Sequence, residues 1–394
     1  MQFKFVYVGR LDTEKGLEDI VFAFEKLLSH GSNVRLDLFG QEGNCSQLVR
    51  TLQHTFPDAV CYHGRQDKSI IAEYRTSCHY VLMPSYFLET FGLACLDAYS
   101  YAKPVIWYKK WWLQELIIDD YAISSRQYWQ TNIDSLYKKI TQLLQNFDTN
   151  IYSKDCQICG EIYETYSKTK WKENVENICS SLGFPRSRQK PPSLLLVSDY
   201  LYRFWWIEAF LYDSKEQLRN MGYRVDLFGS SIASSLLRKV WLLSSILNIG
   251  SAVTLFYKLL SNAYALVWLH SIQRYLWWFP LWILSFFSVK KVFMLHDLWL
   301  LHPYPSLVTD EQQLQFSWTF HNYLLAGRDL WKTSFLNKLA MTAKFMSSSV
   351  IRSIFQNSID VYLVPSSFLI PHLSRWLGNK KSYRIDLLSH FVSQ

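Results

Sequence analysis

Glycine is scarce in this chain. Its 394 residues include 14 glycines and 16 tryptophans, and glycine stands well below its typical share of about 7%. Glycine supplies positive φ angles and lets the backbone approach a ligand closely. Either the loops of this protein have become aromatic, or tryptophans stand at positions that need glycine.

Cysteine is missing from the second half of the chain. All seven cysteines lie between Cys45 and Cys179, and Cys156 and Cys159 form the single CxxC motif. A zinc ribbon or a disulfide framework needs further pairs at fixed spacing. The pattern therefore argues against both and indicates free thiols in a reducing compartment.

Apolar segments long enough to span a membrane are also missing. Val240–Tyr257 is uncharged over 18 residues but includes several polar side chains, and Tyr275–Ser288 has 14 residues and contains Pro280. Because a spanning helix needs about 20 predominantly apolar residues, we predict buried or membrane-contacting helices here. Phe3–Val8 follows Met1 without the pattern of a signal peptide. We expect a cytoplasmic protein, with peripheral contact at the inner face of the membrane as an open alternative.

The net charge of +8 fits an anionic ligand but equally fits an ordinary basic surface. The basic residues are scattered along the chain, and no motif of interleaved aromatic and basic residues is present. We therefore expect no nucleic-acid partner.

The first half alternates strand and helix patterns. Phe3–Val8 and Val34–Phe39 are short apolar runs, and Leu17–Leu28 between them has apolar residues at helical spacing. Such alternation predicts an α/β fold with a parallel, doubly wound sheet. Ligands bind such sheets at the carboxyl ends of the strands.

A second α/β pattern follows a basic, proline-rich segment. Residues 183–193 read GFPRSRQKPPS, which is typical of a linker. Ser193–Ser198 then predicts a strand, and Ile207–Met221 predicts a helix. The length suits two buried cores, so we predict two Rossmann-like domains, residues 1–182 and 194–394.

Two cations follow the first strand pattern. Arg10 and Lys15 lie in the loop GRLDTEKG, just before a predicted helix. Paired cations and a helix N-terminus can bind a pyrophosphate. Taken alone, the pair is better explained as solvated surface charge; the acidic segment further along the chain changes that balance in favour of a phosphate site.

The segment from Tyr80 to Ile106 contains two acids that are eight positions apart. A strand pattern ends near Pro84, and Glu89 and Asp97 follow within ETFGLACLD. Eight positions along a helix span about 12 Å. We therefore expect both carboxylates on one helix face, where they can hold the two ends of an extended polyol.

This segment resembles the acid-x7-acid signature of the retaining glycosyltransferases of family 4, which have the two-Rossmann GT-B architecture. The second acid here is Asp97, whereas the family has glutamate. The resemblance implies that Glu89 contacts the donor sugar or its phosphate and that Asp97 binds the ribose hydroxyls. It implies that Arg10 and Lys15 bind the donor diphosphate, and it includes Gly92 among the donor-binding residues.

The second half resembles the amino-terminal domain of the same family. His296 begins the motif HDLWLLHP after the strand pattern Lys291–Leu295. The family has a functional histidine there, against the donor, so the resemblance implies a catalytic role for His296. It also implies that Trp205, Trp206 and Glu208 lie in a loop at the domain cleft.

The two halves stand in reversed order relative to the family. The carboxy-terminal, donor-binding type of domain comes first, and the amino-terminal, acceptor-side type comes second. Two explanations stay open: the chain is a piece of a longer tandem protein, or it is a circular permutant whose halves close on each other.

Tryptophan stands where the family has loop glycines. The positions concerned are Trp107, Trp111, Trp112, Trp129, Trp205 and Trp206. A tryptophan in a left-handed conformation costs about 1–2 kcal/mol, and its indole fills space that a ligand would occupy. One hypothesis is that UGA codons meaning glycine were translated as tryptophan. The other is that the loops are truly aromatic.

The resemblance implies transfer of a hexose from a nucleotide-sugar donor to a glycan or lipid-linked acceptor, with retention. Glu115 is implied to help hold the sugar. No Asp-x-Asp motif is present, so we expect a metal-independent reaction with no cofactor besides the nucleotide-sugar co-substrate. The alternative is a non-catalytic sugar-nucleotide or glycan-binding module, which literal tryptophans in the loops would favour.

The codons of the six tryptophans test the decoding hypothesis. If it holds, the nucleotide sequence has UGA at these positions and UGG at Trp299, which fits the family as tryptophan. UGG at most of the six positions would contradict it and leave the aromatic-loop explanation.

Overall fold

The computed structural model describes two compact units that divide between Ser167 and Lys168. The described residues are 1–86, 91–109, 115–116, 118–124, 133–184, 191–201, 206–230, 249–270, 278–296, 349–378 and 383–391. This division comes before the predicted linker at residues 183–193. The helix that directly precedes the linker packs in the core of the second unit.

The first unit is built on a six-stranded sheet. Its strands are β1 (Phe3–Val8), β2 (Val34–Phe39), β3 (Val60–Tyr62), β4 (Tyr80–Met83), β5 (Val105–Lys109) and β6 (Ala122–Ser124). They pair in parallel in the order β3-β2-β1-β4-β5-β6. This order reverses between β1 and β4, and ligands of such sheets bind at the reversal, outside the carboxyl ends of the strands.

Helices cover both faces of this sheet. They are α1 (Leu17–Ser29), α2 (Ser46–Thr55), α3 (Lys68–Ser77), α4 (Leu93–Tyr99), α5 (Ile133–Gln145) and α6 (Thr149–Thr165). On one face Ile20, Phe24 and Leu27 of α1 are buried on Phe5 and its neighbours, as the helical spacing predicts. On the other face α4 packs against α6.

Trp107 lies in the middle of β5 and is fully buried. Its indole N–H has no hydrogen-bond partner among the described residues. An unsatisfied buried donor costs about 1–3 kcal/mol, and a glycine at this position would not carry that cost. Of the other five suspect tryptophans, the backbone of Trp206 alone is within the described residues.

The second unit is built on another six-stranded parallel sheet. Its strands are β7 (Ser193–Tyr200), β8 (Arg224–Ser230), β9 (Leu266–Leu269), β10 (Lys290–Met294), β11 (Val361–Val364) and β12 (Arg384–Leu387). The order is β12-β11-β10-β9-β7-β8, which reverses between β7 and β9. The prediction of two doubly wound α/β sheets is therefore confirmed.

The described helices of the second unit are α7 (Lys168–Ser181), α8 (Trp206–Asn220), α9 (Ile249–Ser261), α10 (Trp278–Ser285), α11 (349–358) and α12 (Leu369–Leu377). Trp171 of α7 stacks on Trp268 of β9, with ring centroids 6.3 Å apart. None of the helices in the described ranges combines the length and apolarity needed to cross a membrane. Val253, Tyr257 and Leu260 of α9 are nevertheless exposed.

The loops after β1 and β4 touch each other in the first unit. Gly16, the residue before α1, has a φ of +76°, and a Cβ built on it would lie 2.0 Å from the carbonyl oxygen of Pro84. The N–H of Tyr86 donates to the carbonyl of Glu14 at 2.9 Å. A side chain at position 16 would therefore push the two loops apart.

Replacing Gly16 with alanine is expected to destabilise the protein more than the same change at Gly31. Both glycines have φ near +75°, but the space beside Gly31 is open. The left-handed conformation costs alanine about 1–2 kcal/mol at either site, and the clash at Gly16 adds about 1–3 kcal/mol. Denaturant titration of both variants measures the difference; equal losses would show that the loop contact is loose.

Candidate functional site

The reversal point of the first sheet brings together the loops that follow β1 and β4. Arg10 and Lys15 follow β1, and residues 84–86 follow β4. Because parallel strands have their carboxyl ends at one edge, the basic loop and residues 84–86 meet there. Glu89 lies outside the described residues.

Arg10 is held by acids of its own loop. Its guanidinium contacts Asp12 at 2.7 Å and also contacts Glu14, and the Arg10 side chain is 52% exposed. Tyr7 donates its hydroxyl to the carbonyl of Arg10 at 2.7 Å, which fixes the backbone. Exposed ion pairs contribute about 0–1 kcal/mol, so a phosphate can replace these acids at small cost.

The segment with the two acids does not form the single helix that the spacing predicts. Helix α4 begins at Leu93, and Gly92 before it has the left-handed conformation with φ of 75°. Asp97 lies on α4, whereas Glu89 precedes the helix in the chain. The predicted single helix through both acids is therefore wrong, because the chain turns at Gly92, and the placement of the Glu89 carboxylate relative to Asp97 stays a prediction.

Asp97 already has a cationic partner. The Nη1 atom of Arg75, a buried residue of α3, contacts Oδ2 of Asp97, whose side chain is 32% exposed. A carboxylate has two oxygens that accept hydrogen bonds. Arg75 thus orients Asp97 and leaves Oδ1 as the oxygen that can accept from a ligand hydroxyl.

Glu115 lies beside the end of α6 and the start of α4. Burial and the nearby Glu115 carboxylate raise the pKa of Tyr166 to about 12. The Tyr166 ring packs edge-on against Phe91, with centroids 5.3 Å apart. Tyr99 donates to the carbonyl of Leu116 at 2.7 Å. The structure thus brings Glu115 close to the segment that contains Gly92.

One group of side chains in the described part of the chain has the composition of a metal site. Asp37 of β2 lies near Cys61 and His63, with ligand atoms within 4.8 Å of one another. Arg35 binds both oxygens of Asp37, at 2.9 and 3.0 Å, and His63 Nε2 lies 2.9 Å from Oδ1. The guanidinium already fills the carboxylate, so these residues fit an ion-pair network better than a metal.

Three buried histidines form a row at the carboxyl edge of the second sheet. His270 follows β9, His296 follows β10 and His390 follows β12. His270 Nδ1 lies 2.9 Å from His296 Nε2, and His296 Nδ1 lies 2.8 Å from His390 Nε2. Neighbouring rings stack with centroids 5.1 and 5.0 Å apart, and the edge of Phe210 packs on all three.

The histidines of this row are neutral. Burial lowers the pKa of His270 and of His390 to about 3 and places the pKa of His296 well below its ordinary value. Each neutral imidazole has one N–H and one acceptor nitrogen, so all N–H groups of the row point the same way along it. Both ring nitrogens of His296 are hydrogen-bonded to the neighbouring histidines of the row. The sequence motifs alone did not indicate these bonds.

The other predicted residues of the second unit are only partly described. Glu208 is buried near the start of α8, and Trp206 is the first residue of that helix. Trp205 and Asp297 lie outside the described residues. The sequence analysis missed Arg75, Tyr166, His270 and His390. It took its site residues only from segments that resemble the motifs of the family, and these four residues lie outside those motifs.

Comparison with known proteins places the first unit in a family context. Residues 1–166 match the family model described as Glycosyl transferases group 1. This match covers the unit that contains Arg10, Lys15, Gly92, Asp97 and Glu115. No curated protein matches the chain.

Three solved structures overlap with part of the chain. The catalytic domain of cholesterol-alpha-glucosyltransferase from Helicobacter pylori is 18% identical, with 42% of this chain and 100% of that one covered and a TM-score of 0.36. The pneumococcal O-GlcNAc transferase GtfA, in complex with UDP and GlcNAc, is 25% identical. The match covers 45% of this chain and 36% of that one, with a TM-score of 0.38. The C-terminal domain of the glycosyl transferase group 1 protein LpcC from Francisella tularensis is 18% identical. The match covers 41% of this chain and 85% of that one, with a TM-score of 0.35.

The histidine row predicts that the second unit loses stability in acid. A histidine has a pKa near 6.5 when unfolded, and burial lowers this pKa in the folded protein. The stabilisation is therefore complete above pH 6.5 and is lost as the pH falls below it. Three such groups give a slope of up to about 4 kcal/mol per pH unit.

Urea titrations of the full chain between pH 8 and pH 5 measure this slope. His372 adds to it, since burial lowers its pKa to about 4. The variant His390→Asn is expected to reduce the slope by about one proton, and the exposed control His54→Asn is expected to leave it unchanged. A slope that His390→Asn does not change would contradict burial of the row.

Proposed function

We propose that the chain is a hexosyltransferase that takes a hexose from a nucleotide-sugar donor and transfers it to a glycan or lipid-linked acceptor, with retention of configuration. One observation carries the proposal. The loop with Arg10 and Lys15 is bonded through the carbonyl of Glu14 to Tyr86 of the loop after β4 at the reversal point of the first sheet, and both loops lie inside the stretch that matches the glycosyltransferase family model.

The first unit would bind the donor. Arg10 and Lys15 neutralise the leaving diphosphate, Glu89 positions the sugar, and Asp97 binds the ribose through Oδ1 while Arg75 holds Oδ2. Fixed cations and helix dipoles stabilise a leaving phosphate without a metal, so the reaction is expected to persist in EDTA.

The second unit would contribute the acceptor side. His296 and Glu208 are its proposed functional residues, and His270 and His390 hold the imidazole of His296 in one orientation. A lipid-linked acceptor is supported by exposed apolar side chains on α9 and α10, among them Tyr257 and Trp282. Assays with lipid-linked and soluble glycan acceptors in parallel separate the two classes.

Alanine at Arg10 or Lys15 is expected to weaken the binding of a nucleoside diphosphate by about tenfold or more, because a hydrogen bond to a charged group contributes about 1.5–3 kcal/mol. Isothermal titration of the full chain with UDP, GDP and ADP measures this affinity. Lys26→Ala is a control, since Lys26 is similarly exposed, is paired with Asp134 and lies in the last turn of α1, at the other end of that helix from the Arg10–Lys15 loop.

Sugar transfer separates the enzyme from the non-catalytic module. The proposed enzyme hydrolyses or transfers a sugar from one donor of a panel, and Glu89→Ala abolishes the reaction while the nucleotide still binds. Nucleotide binding without sugar release would favour the binding module. No binding of any nucleotide by the wild-type chain would contradict both the enzyme and the sugar-nucleotide module and leave a glycan-binding module.

A further inference from the structure

A buried carboxylate lies directly behind the reversal point of the first sheet. Asp19, in the first turn of α1, has no exposed surface. Its Oδ2 atom accepts hydrogen bonds from the hydroxyls of Tyr86 and Tyr108, the second at 2.5 Å. The two tyrosine rings lie against each other with centroids 5.2 Å apart.

These contacts join three separate parts of the unit. Asp19 belongs to α1, Tyr108 lies near the carboxyl end of β5, and Tyr86 lies in the loop after β4. The backbone of Tyr86 is bonded to Glu14 in the basic loop. Tyr86 is therefore held at two points: its hydroxyl is bonded to Asp19, and its backbone N–H is bonded to Glu14.

The electrostatics of the cluster favour this arrangement. The first turn of α1 places Asp19 at the positive end of the helix dipole. Burial and the nearby Asp19 carboxylate raise the pKa of Tyr108 above its ordinary value, so its hydroxyl keeps the proton that it donates. Hydrogen bonds to a charged acceptor are among the stronger ones in proteins.

The same unit contains a cluster of similar chemistry at the opposite edge of its sheet. Tyr121, just before β6, donates its hydroxyl to Asp155 of α6 at 2.5 Å, and both residues are buried. This pair lies at the amino end of a strand and contacts neither the loop after β1 nor the loop after β4 in the described contacts. It supplies a control for the stability effect of losing such a bond.

We propose that Asp19 is a positioning residue for the donor site. By holding Tyr86, whose N–H donates to the carbonyl of Glu14, it fixes the loop that contains Arg10 and Lys15 against the loop after β4. This inference rests on the proposed function, and its physical basis is that a displacement of about 1 Å at a binding group can change rates by as much as a hundredfold.

The variants compare equal chemistry at the two edges of the sheet. Asp19→Leu, Tyr86→Phe and Tyr108→Phe remove bonds at the reversal point, whereas Asp155→Leu and Tyr121→Phe remove them at the opposite edge. Asp19→Asn is the conservative variant, because its amide oxygen still accepts from both tyrosines. Thermal unfolding of the full chain establishes that each variant folds and matches the two sets in stability.

Two measurements then separate positioning from general stability. Hydrogen exchange followed by mass spectrometry reports on the peptide that contains Tyr86 without any ligand, and titration with UDP, GDP and ADP reports on donor affinity. We expect faster exchange in that peptide and roughly tenfold weaker binding for Asp19→Leu and Tyr86→Phe. Asp19→Asn is expected to retain most of the affinity, and both control variants are expected to behave as wild type.

Each outcome tests either the positioning role of Asp19 or the proposed function. Unchanged exchange in the peptide that contains Tyr86 in Asp19→Leu overturns the inference, whether or not a nucleotide binds. Faster exchange with wild-type affinity also overturns it as a statement about the donor site. Faster exchange in a protein whose wild type binds no nucleotide supports the hold of Asp19 on the loop and overturns the proposed function.

Discussion

Parallel pairing of the strands is the constraint on which the rest of the structure depends. In both described sheets each strand pair is parallel, so the chain must cross over the sheet between strands. All carboxyl ends consequently lie at one edge of their sheet, and the loops that follow them become neighbours. Glu14 and Tyr86 in the first unit, and His270 and His296 in the second, are close to each other for this reason.

A buried polar network lies at the carboxyl edge of each sheet, and the two networks differ in charge. In the first unit a carboxylate, Asp19, is stabilised by two tyrosine hydroxyls and by the dipole of α1. In the second unit His270, His296 and His390 remain neutral because burial disfavours their charged forms. Buried polar groups are costly when unsatisfied, so these networks hold the loops beside them in one arrangement.

The fold could be predicted from the sequence to a large extent. Apolar runs such as Phe3–Val8 and Val34–Phe39 are strands with the predicted bounds, because the alternation of strand and helix patterns is a local property. The helix through Glu89 and Asp97 was not predicted correctly, since Gly92 turns the chain and α4 starts only at Leu93. Periodicity gave no sign of that turn, although a glycine in the motif was a possible signal.

The sequence by itself determined the class of fold and the order of its elements, and it supplied the residues proposed for a donor site. Only the tertiary structure decided which side chains meet. Asp19 and Tyr108 are 89 positions apart, and His296 and His390 are 94 positions apart. Local patterns follow from the preferences of neighbouring residues, whereas these contacts exist because parallel crossovers carry distant segments to the same edge of a sheet.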